Sequence, residues 1–345
     1  MEGVDAYNKI PDNEYDRRLE QLATIGEEIA NWFKSPERAK KTGSKKEADE
    51  KKATMLEGLQ LLLNREMQLV TQERLEAEEL AHQERVGRIG EQAAAIGAGA
   101  TTRQMKEAGV TGQTPEELKQ SALAAYGQDM DKILTGDEQT KGRTPTAFDW
   151  RGNTATTKMA AALGETIGRD YFKNVLLPVF SDVLRLKNED AEVDPNKINA
   201  PENDKGGIIQ ENANRIKGVY AAIMNLFTVG GATAIPGLFA QFCAQLYQLA
   251  LSKGMDENNA YLLVSSQVFL RTINPMVINL ASAIPQGEAG KTAAMYIAKM
   301  LQSDANNTPY DLKEKHMAVF LDMDYQEQIQ EFVTEIIRLG QEQEM

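Results

Sequence analysis

A polar stripe near residue 300 displays one cation and two amides along a single helix face. Lys299, Gln302 and Asn306 follow one another at steps of three and four residues, which brings their side chains together over about two turns. The buried face of the same helix is predicted to carry Ala294, Ile297, Ala298 and Leu301. The stripe offers a positive charge and hydrogen-bond donors rather than a nucleophile. From spacing alone, a solvated polar face is the favoured interpretation.

The sequence contains no recognisable catalytic or metal-binding motif of its own. The segment 287–292, Gly-Glu-Ala-Gly-Lys-Thr, has two residues between its glycines where a phosphate-binding loop needs four. Cys243 lies in an apolar helical segment and is interpreted as a buried structural thiol. His82 and His316 are too few and too scattered for a zinc site. We therefore expect neither a cofactor nor a metal in this chain.

Several segments, taken in order, resemble the Ras GTPase-activating protein family over about 145–320. The family pattern of a lysine, a glutamine, an Ala-Asn pair and a Lys-Glu pair is matched by Lys299, Gln302, Ala305-Asn306 and Lys313-Glu314. Further upstream, the matching segments are Arg151-Gly152-Asn153-Thr154 with Lys158, Tyr171, Leu176 and Pro178, then Glu192-Val193-Asp194-Pro195, then Phe269-Leu270-Arg271 with Asn274-Pro275. Each segment alone is a weak signal, whereas the ordered set is a strong one.

The resemblance implies that Arg151 is an arginine finger, inserted in trans into the active site of a GTP-bound Ras-family small GTPase. Such an arginine neutralises charge on the phosphates in the transition state and accelerates hydrolysis by roughly 10³–10⁵. The resemblance further implies that Arg271 holds the finger loop by donating to its backbone, and that Leu270 packs against the GTPase. The groove for the GTPase would be lined by Lys299, Gln302, Asn306 and Lys313. The chain would then be an activator with no self-contained active site.

Two residues depart from the family pattern and leave other functions open. The family usually has apolar residues before the finger, where this chain has Asp149 and Trp150. These residues could alter the approach of the loop or the choice of target. One alternative is a non-catalytic GTPase-binding scaffold, like the IQ-motif scaffold proteins that have lost the finger. The presence of Arg151 argues against that branch. Another alternative is a helical adaptor that acts through its N-terminal helix.

Helical patterns predominate along the chain, and alternating β patterns are absent, so we expect an all-α fold. Residues 1–112 are predicted to form a helical, partly coiled-coil-like extension, with a long amphipathic helix from about 47 to 95. A turn-rich break is expected over 97–112, and Thr114 with Glu117 predicts a capping box that opens the main domain, 113–345. Within that domain, helices are expected around 208–229, 236–253, 256–273, 288–304 and 325–340. The long helix either packs on its own domain or pairs with a second copy in a homo-oligomer.

Composition limits the classes of partner. The 345 residues carry a formal charge of −13, which argues against nucleic acid or an anionic membrane as the main partner. No apolar stretch is long enough for an integral membrane segment, and no signal peptide is evident. We expect a cytoplasmic protein, with recruitment to membranes by its GTPase left open. The Glu/Gln-rich C-terminal segment is a weak signal compatible with a bacterial effector delivered into a host cell.

Overall fold

The computed structural model describes residues 12–34, 45–136, 142–150, 152–305, 308–310 and 314–343. Within these ranges the chain is predominantly helical and contains no β-strand, which confirms the predicted all-α fold. The α-helices are α1 (Asp12–Lys34), α2 (Lys45–Glu107), α3 (Pro115–Thr135), α4 (Ala155–Tyr171), α5 (Leu177–Val183), α6 (Glu202–Leu226), α7 (Gly237–Ser252), α8 (Glu257–Ser265), α9 (Asn274–Ala283), α10 (Lys291–Ala305) and α11 (Gln326–Glu342). Two segments between them are π-helical, Phe172–Leu176 and Ser266–Ile273, whereas Phe227–Gly231 contains a kink at Val229 and Gly230.

The contacts divide the chain into two compact units, Met1–Arg85 and Val86–Met345. This boundary falls inside α2 and lies N-terminal to the 112/113 boundary suggested by the sequence. Within the first unit, α1 lies against α2, where a Cβ atom on Gly26 would come within 2.5 Å of the Leu63 side chain. Arg18 of α1 also pairs with Glu73 of α2 at 2.9 Å. Because Gly26 faces Leu63 while the earlier Arg18 faces the later Glu73, the two helices run antiparallel.

The predicted break over 97–112 is wrong for most of its length, because α2 continues to Glu107. Gly97 lies within the helix, where an added Cβ atom would stand 3.2 Å from the Asn279 side chain of α9. Thr101 donates a hydrogen bond from its hydroxyl to Glu165 of α4 at 2.5 Å. Close packing and a buried hydrogen bond therefore outweigh the weak helix propensity of the glycines. The actual turn follows at Gly109 and Gly112, both at positive φ.

The capping box predicted at Thr114 and Glu117 is confirmed. The Thr114 hydroxyl accepts a hydrogen bond from the backbone N–H of Glu117, and the Glu117 carboxylate accepts one from the Thr114 N–H at 2.8 Å. The helices expected after residue 200 are also present, although α6 begins at Glu202, six residues earlier than expected. These features depend on neighbouring residues, which explains why the sequence predicts them.

An aromatic cluster fixes the π-helical segment Ser266–Ile273 in the core of the second unit. The Phe269 ring lies 5.6 Å from the Phe227 ring and 5.8 Å from the Phe332 ring of α11. The segment also packs against α4 on one side and α10 on another. It therefore lies between α4 and α10, the helix that carries Lys299 and Gln302.

Within the described ranges, no single helix has the length and apolar character of a membrane span. One bent pair, Glu202–Ala234 with Gly237–Ser252, meets the criterion jointly by length and composition alone, with a bend of 98° between its members.

Candidate functional site

The loop before α4 contains a 3₁₀ turn, Ala147–Trp150, that is closed by the Asp149 carboxylate. This carboxylate accepts hydrogen bonds from the Thr146 backbone N–H at 2.7 Å and from Arg143 Nη1 at 3.0 Å. Burial alone would raise the pKa of Asp149, but the hydrogen bonds from Arg143 and Thr146 outweigh it and hold the pKa below its ordinary value. Asp149 is thus a charged structural anchor of the turn at neutral pH.

Trp150 is the second anchor of this loop. Its side chain is 2% exposed, and its ring lies 5.7 Å from the ring of Tyr126 in α3. Of the two residues that depart from the family pattern, Trp150 is thus held against α3, whereas Asp149 is bonded within the loop. Arg151 itself lies outside the described residues, but the structure describes the residues on both sides of it.

Arg271 reaches this loop from the π-helical segment. Its Nη2 atom donates to the carbonyl oxygen of Gly152 at 2.9 Å and to that of Trp150 at 3.4 Å. Its Nη1 atom donates to the Asn153 side-chain oxygen at 3.1 Å. Burial lowers the pKa of the guanidinium, an effect that the nearby Tyr126 opposes. One side chain thus contacts the residue before Arg151 and the two residues after it.

The C-terminal end of the loop is fixed by the first turn of α4. The Thr157 hydroxyl donates to the Gly152 carbonyl oxygen at 2.9 Å, so that oxygen accepts from both Thr157 and Arg271. Thr154 caps the helix, and its hydroxyl accepts from the Thr157 backbone N–H at 3.2 Å. The loop is consequently fastened to α4 and to the π-helical segment at the same point.

Two glycines of α4 allow close packing against the π-helical segment and the start of α9, which brings Arg271 near the loop. A Cβ atom on Gly164 would stand 2.1 Å from the Thr272 hydroxyl oxygen, and one on Gly168 would stand 2.5 Å from the Met276 methyl carbon. The Thr272 hydroxyl is itself bonded to the Gln267 carbonyl oxygen at 2.9 Å. Leu270, adjacent to Arg271, is partly buried against the core. Its predicted contact with a GTPase stays a prediction.

The predicted apolar face of α10 is confirmed, and part of its predicted polar face is described. The predicted apolar face is buried at Ala294, Ile297, Ala298 and Leu301. On the polar side, Lys299 Nζ pairs with Glu314 Oε2 at 2.6 Å and lies 5.3 Å from the centre of the Tyr296 ring. Gln302 is exposed on the same helix. Asn306 and Lys313, the other predicted groove residues, lie outside the described residues.

Sequence reasoning missed the role of Tyr296, one turn before Lys299. The Tyr296 hydroxyl donates to Glu192 Oε1 at 2.5 Å and so ties α10 to the loop that contains Glu192-Val193-Asp194-Pro195. Burial raises the pKa of this tyrosine. The spacing of three residues between Tyr296 and Lys299 was the available signal, but spacing alone does not identify a hydrogen-bond partner 104 residues away.

Lys291 and Cys243, which the sequence does not predict to be catalytic, have structural roles. Lys291, from the segment that resembles a phosphate-binding loop, donates from Nζ to the carbonyl oxygens of Ala281 and Ile284 at the end of α9. Cys243 is fully buried, and burial raises the pKa of its thiol, which disfavours a reactive thiolate. Across the described part of the chain, no group of three or more His, Cys, Asp or Glu side chains is arranged to hold a metal ion.

Comparison of the chain with protein-family models and with curated proteins finds no match. The resemblance to the Ras GTPase-activating proteins therefore rests on the ordered residues themselves and stays a prediction.

Proposed function

We propose that this protein activates GTP hydrolysis by a Ras-type small GTPase in its GTP-bound form, with Arg151 inserted in trans. The observation that supports this proposal best is the set of hydrogen bonds from Arg271 to Trp150, Gly152 and Asn153, which surround Arg151 in the chain. A loop held in this way is suited to presenting one side chain to another molecule.

The physical requirement for a finger is a fixed position as much as a charge. An arginine supplied in trans must reach the phosphate oxygens within a narrow geometry, because positional looseness reduces the rate gain. Four contacts restrain this loop: the Asp149 turn, the buried Trp150 ring, the Arg271 bonds and the Thr157 bond. Arginine suits the role because it remains charged and presents a rigid fork of donors to oxygen anions.

The proposed GTPase-binding surface includes Leu270, Lys299, Gln302, Asn306 and Lys313. Lys299 already pairs with Glu314, and both side chains are about one-third exposed. A partly exposed ion pair of this kind contributes little free energy. An acidic group of a GTPase can therefore replace Glu314 as the partner of Lys299 at a small cost in free energy. Surface cations would also speed encounter with an acidic partner. The Mg²⁺ ion and GTP would arrive with the GTPase, and the protein would act in the cytoplasm or at the membrane where that GTPase resides.

The test is single-turnover GTP hydrolysis by a panel of Ras, Rap, Rab and Rho proteins. We expect the wild-type protein to stimulate at least one of them, and Arg151→Ala to reduce that stimulation by roughly 10³-fold or more while binding is retained. Arg151→Lys should also be strongly impaired, because an ammonium group cannot reproduce the guanidinium fork. Arg103→Ala, which alters an exposed arginine of α2 with no proposed role, is the matched control.

The outcomes separate the alternatives. Binding of a GTP-bound GTPase without stimulation would favour a non-catalytic scaffold. Neither binding nor stimulation would favour an adaptor that acts through its N-terminal helix. Undiminished stimulation by Arg151→Ala would show that the finger is assigned to the wrong residue.

A further inference from the structure

A buried carboxylate at the end of α10 joins three separate parts of the second unit. Asp304 is 8% exposed, and its Oδ1 atom accepts a hydrogen bond from the Tyr310 hydroxyl at 2.6 Å. Its Oδ2 atom accepts a short hydrogen bond from the hydroxyl of Tyr220 in α6. Both tyrosines are buried, and Tyr325, which precedes α11, packs its ring against that of Tyr220 at 5.4 Å. Burying a carboxylate costs free energy, which the hydrogen bonds from the two tyrosines partly offset.

The carboxylate fastens the residues that follow α10, which we call the connector, 308–310. At its start, the Thr308 backbone N–H donates to the Ser303 carbonyl oxygen at 3.0 Å. At its end, Tyr310 donates to Asp304. The connector therefore folds back onto the last turn of α10, the helix that displays Lys299 and Gln302. In sequence it lies between Asn306 and Lys313, two residues of the proposed GTPase-binding surface.

We propose that Asp304 is a positioning residue for the GTPase-binding surface: through Tyr310 and Tyr220 it sets where the connector lies relative to α10. This inference rests on the proposed function, because the surface it positions is the one assigned to the GTPase. Asp304 touches no substrate. Its effect is on the affinity for the GTPase and not on the chemical step that Arg151 serves.

The charge on Asp304 gives this contact a pH dependence. Burial raises the pKa of its carboxyl to about 6, although the hydrogen bonds from Tyr220 and Tyr310 act in the opposite direction; Asp324 adds a small further rise. The groups that face it are thus Tyr220, Tyr310, Tyr325 and Asp324. At pH 7.5 the carboxyl is ionised, and hydrogen bonds to an ionised acceptor are stronger than those to a neutral one. The Tyr310 hydroxyl must therefore matter more at pH 7.5 than at pH 5, where Asp304 is protonated.

The first experiment measures kcat and KM of the stimulated reaction, with the GTP-bound GTPase as the varied substrate and the full chain as activator. It is carried out at pH 7.5 and at pH 5, and each variant is compared with wild type at the same pH. We expect Tyr310→Phe to raise KM about tenfold at pH 7.5 and less than about twofold at pH 5, with kcat nearly unchanged. Tyr325→Phe is the matched control, since it also removes a tyrosine hydroxyl beside Tyr220 but none that donates to Asp304. It should leave KM nearly unchanged at both values of pH.

A double-mutant cycle distinguishes positioning from a general loss of structure. In an Asp304→Asn background the charge is absent, so Tyr310→Phe should change KM by less than about twofold at either pH. A second readout needs no GTPase: the pKa of the Asp304 carboxyl, followed by carbon NMR in the isolated chain, should rise in Tyr310→Phe because a hydrogen bond to the ionised form is lost.

Each outcome has one meaning. A pKa that does not change in Tyr310→Phe, or a KM effect equal at pH 7.5 and pH 5, would overturn the positioning role. If a GTPase is stimulated through Arg151 but its KM is insensitive to Tyr310→Phe, this inference fails and the proposed function stands. If no GTPase is stimulated or bound, both fail, even where NMR shows the hydrogen bond.

Discussion

Arg271 carries five N–H donors in a rigid fork, and the loop before α4 offers acceptors in matching positions. Two of them are backbone carbonyl oxygens, at Trp150 and Gly152, and the third is the Asn153 side-chain oxygen. A lysine at this position could place its single ammonium near one carbonyl but could not span all three acceptors. The geometry of the loop therefore depends on the residue type at 271, and not only on its charge.

We predict that Arg271→Ala loosens the loop and lowers kcat of the stimulated GTPase about 10- to 100-fold, because the finger is then held less firmly. Hydrogen exchange at the backbone amides of 142–154 should become faster in the isolated protein. Arg271→Lys should fall between wild type and Arg271→Ala in both measurements. Unchanged exchange together with unchanged kcat in Arg271→Ala would show that the loop keeps its position without this side chain.

At the scale of elements, the packing of α4 against the π-helical segment Ser266–Ile273 decides whether Arg271 can reach the loop. Gly164 is the closest approach, since a Cβ atom there would lie 2.1 Å from the Thr272 hydroxyl oxygen and 3.1 Å from the Thr272 Cβ atom. Moving Thr272 would also break its hydrogen bond to the Gln267 carbonyl oxygen. The glycine is therefore required by packing, although alanine is the better helix former.

We predict that Gly164→Ala destabilises the protein by about 1–3 kcal/mol, because the added methyl group overpacks this contact. Urea unfolding followed by circular dichroism measures the change. Gly218→Ala is the matched control, since Gly218 lies in the interior of α6 with no atom within 4 Å of its added Cβ atom. The control should gain about 0.5–1 kcal/mol from helix propensity. Equal effects of the two substitutions would contradict the packing argument.

The same elements show what the sequence can predict. The capping box at Thr114 and the buried face of α10 follow from residues three and four positions apart, and both were predicted correctly. The extension of α2 through Gly97 to Glu107 was missed because it depends on Asn279 and Glu165, which lie far away in the chain. The π-helical form of 266–273 was missed for a similar reason, since Phe269 packs on Phe227 and Phe332, which are distant in sequence.

The same distinction, between features set by nearby residues and features set by distant ones, applies to the candidate site. The resemblance pointed to Arg271 as a donor to the loop, and the structure has it donating to the carbonyls of Trp150 and Gly152. The roles of Tyr126, Thr157 and Tyr296 were not predicted, because each depends on a partner in another element or on a specific geometry of the loop. Residue types and order indicate which side chains matter, whereas packing partners require the fold.

At the scale of the whole molecule, the second unit begins at Val86 and includes the C-terminal part of α2. Within this unit, Ile89 and Ala93 are 4% and 2% exposed, and a Cβ atom on Gly90 would lie 2.4 Å from the Leu177 side chain. The hydrogen bond from Thr101 to the buried Glu165 adds a polar contact to this packing. The last turns of α2 are thus part of the core that supports α4, although in sequence they resemble a linker.

We predict that a fragment 86–345 folds and unfolds cooperatively, whereas a fragment 113–345, cut at the boundary suggested by the sequence, is less stable. Loss of Ile89 alone removes a buried side chain worth about 1.5–3 kcal/mol, and loss of Thr101 removes its hydrogen bond to Glu165. The melting temperature of 113–345, measured by calorimetry, should be lower by roughly 5 °C or more. Adding a synthetic peptide of residues 86–112 to the shorter fragment should restore part of the difference, since it resupplies the missing contacts. Equal melting temperatures for the two fragments would place the functional core after residue 112 and make α2 dispensable for holding α4.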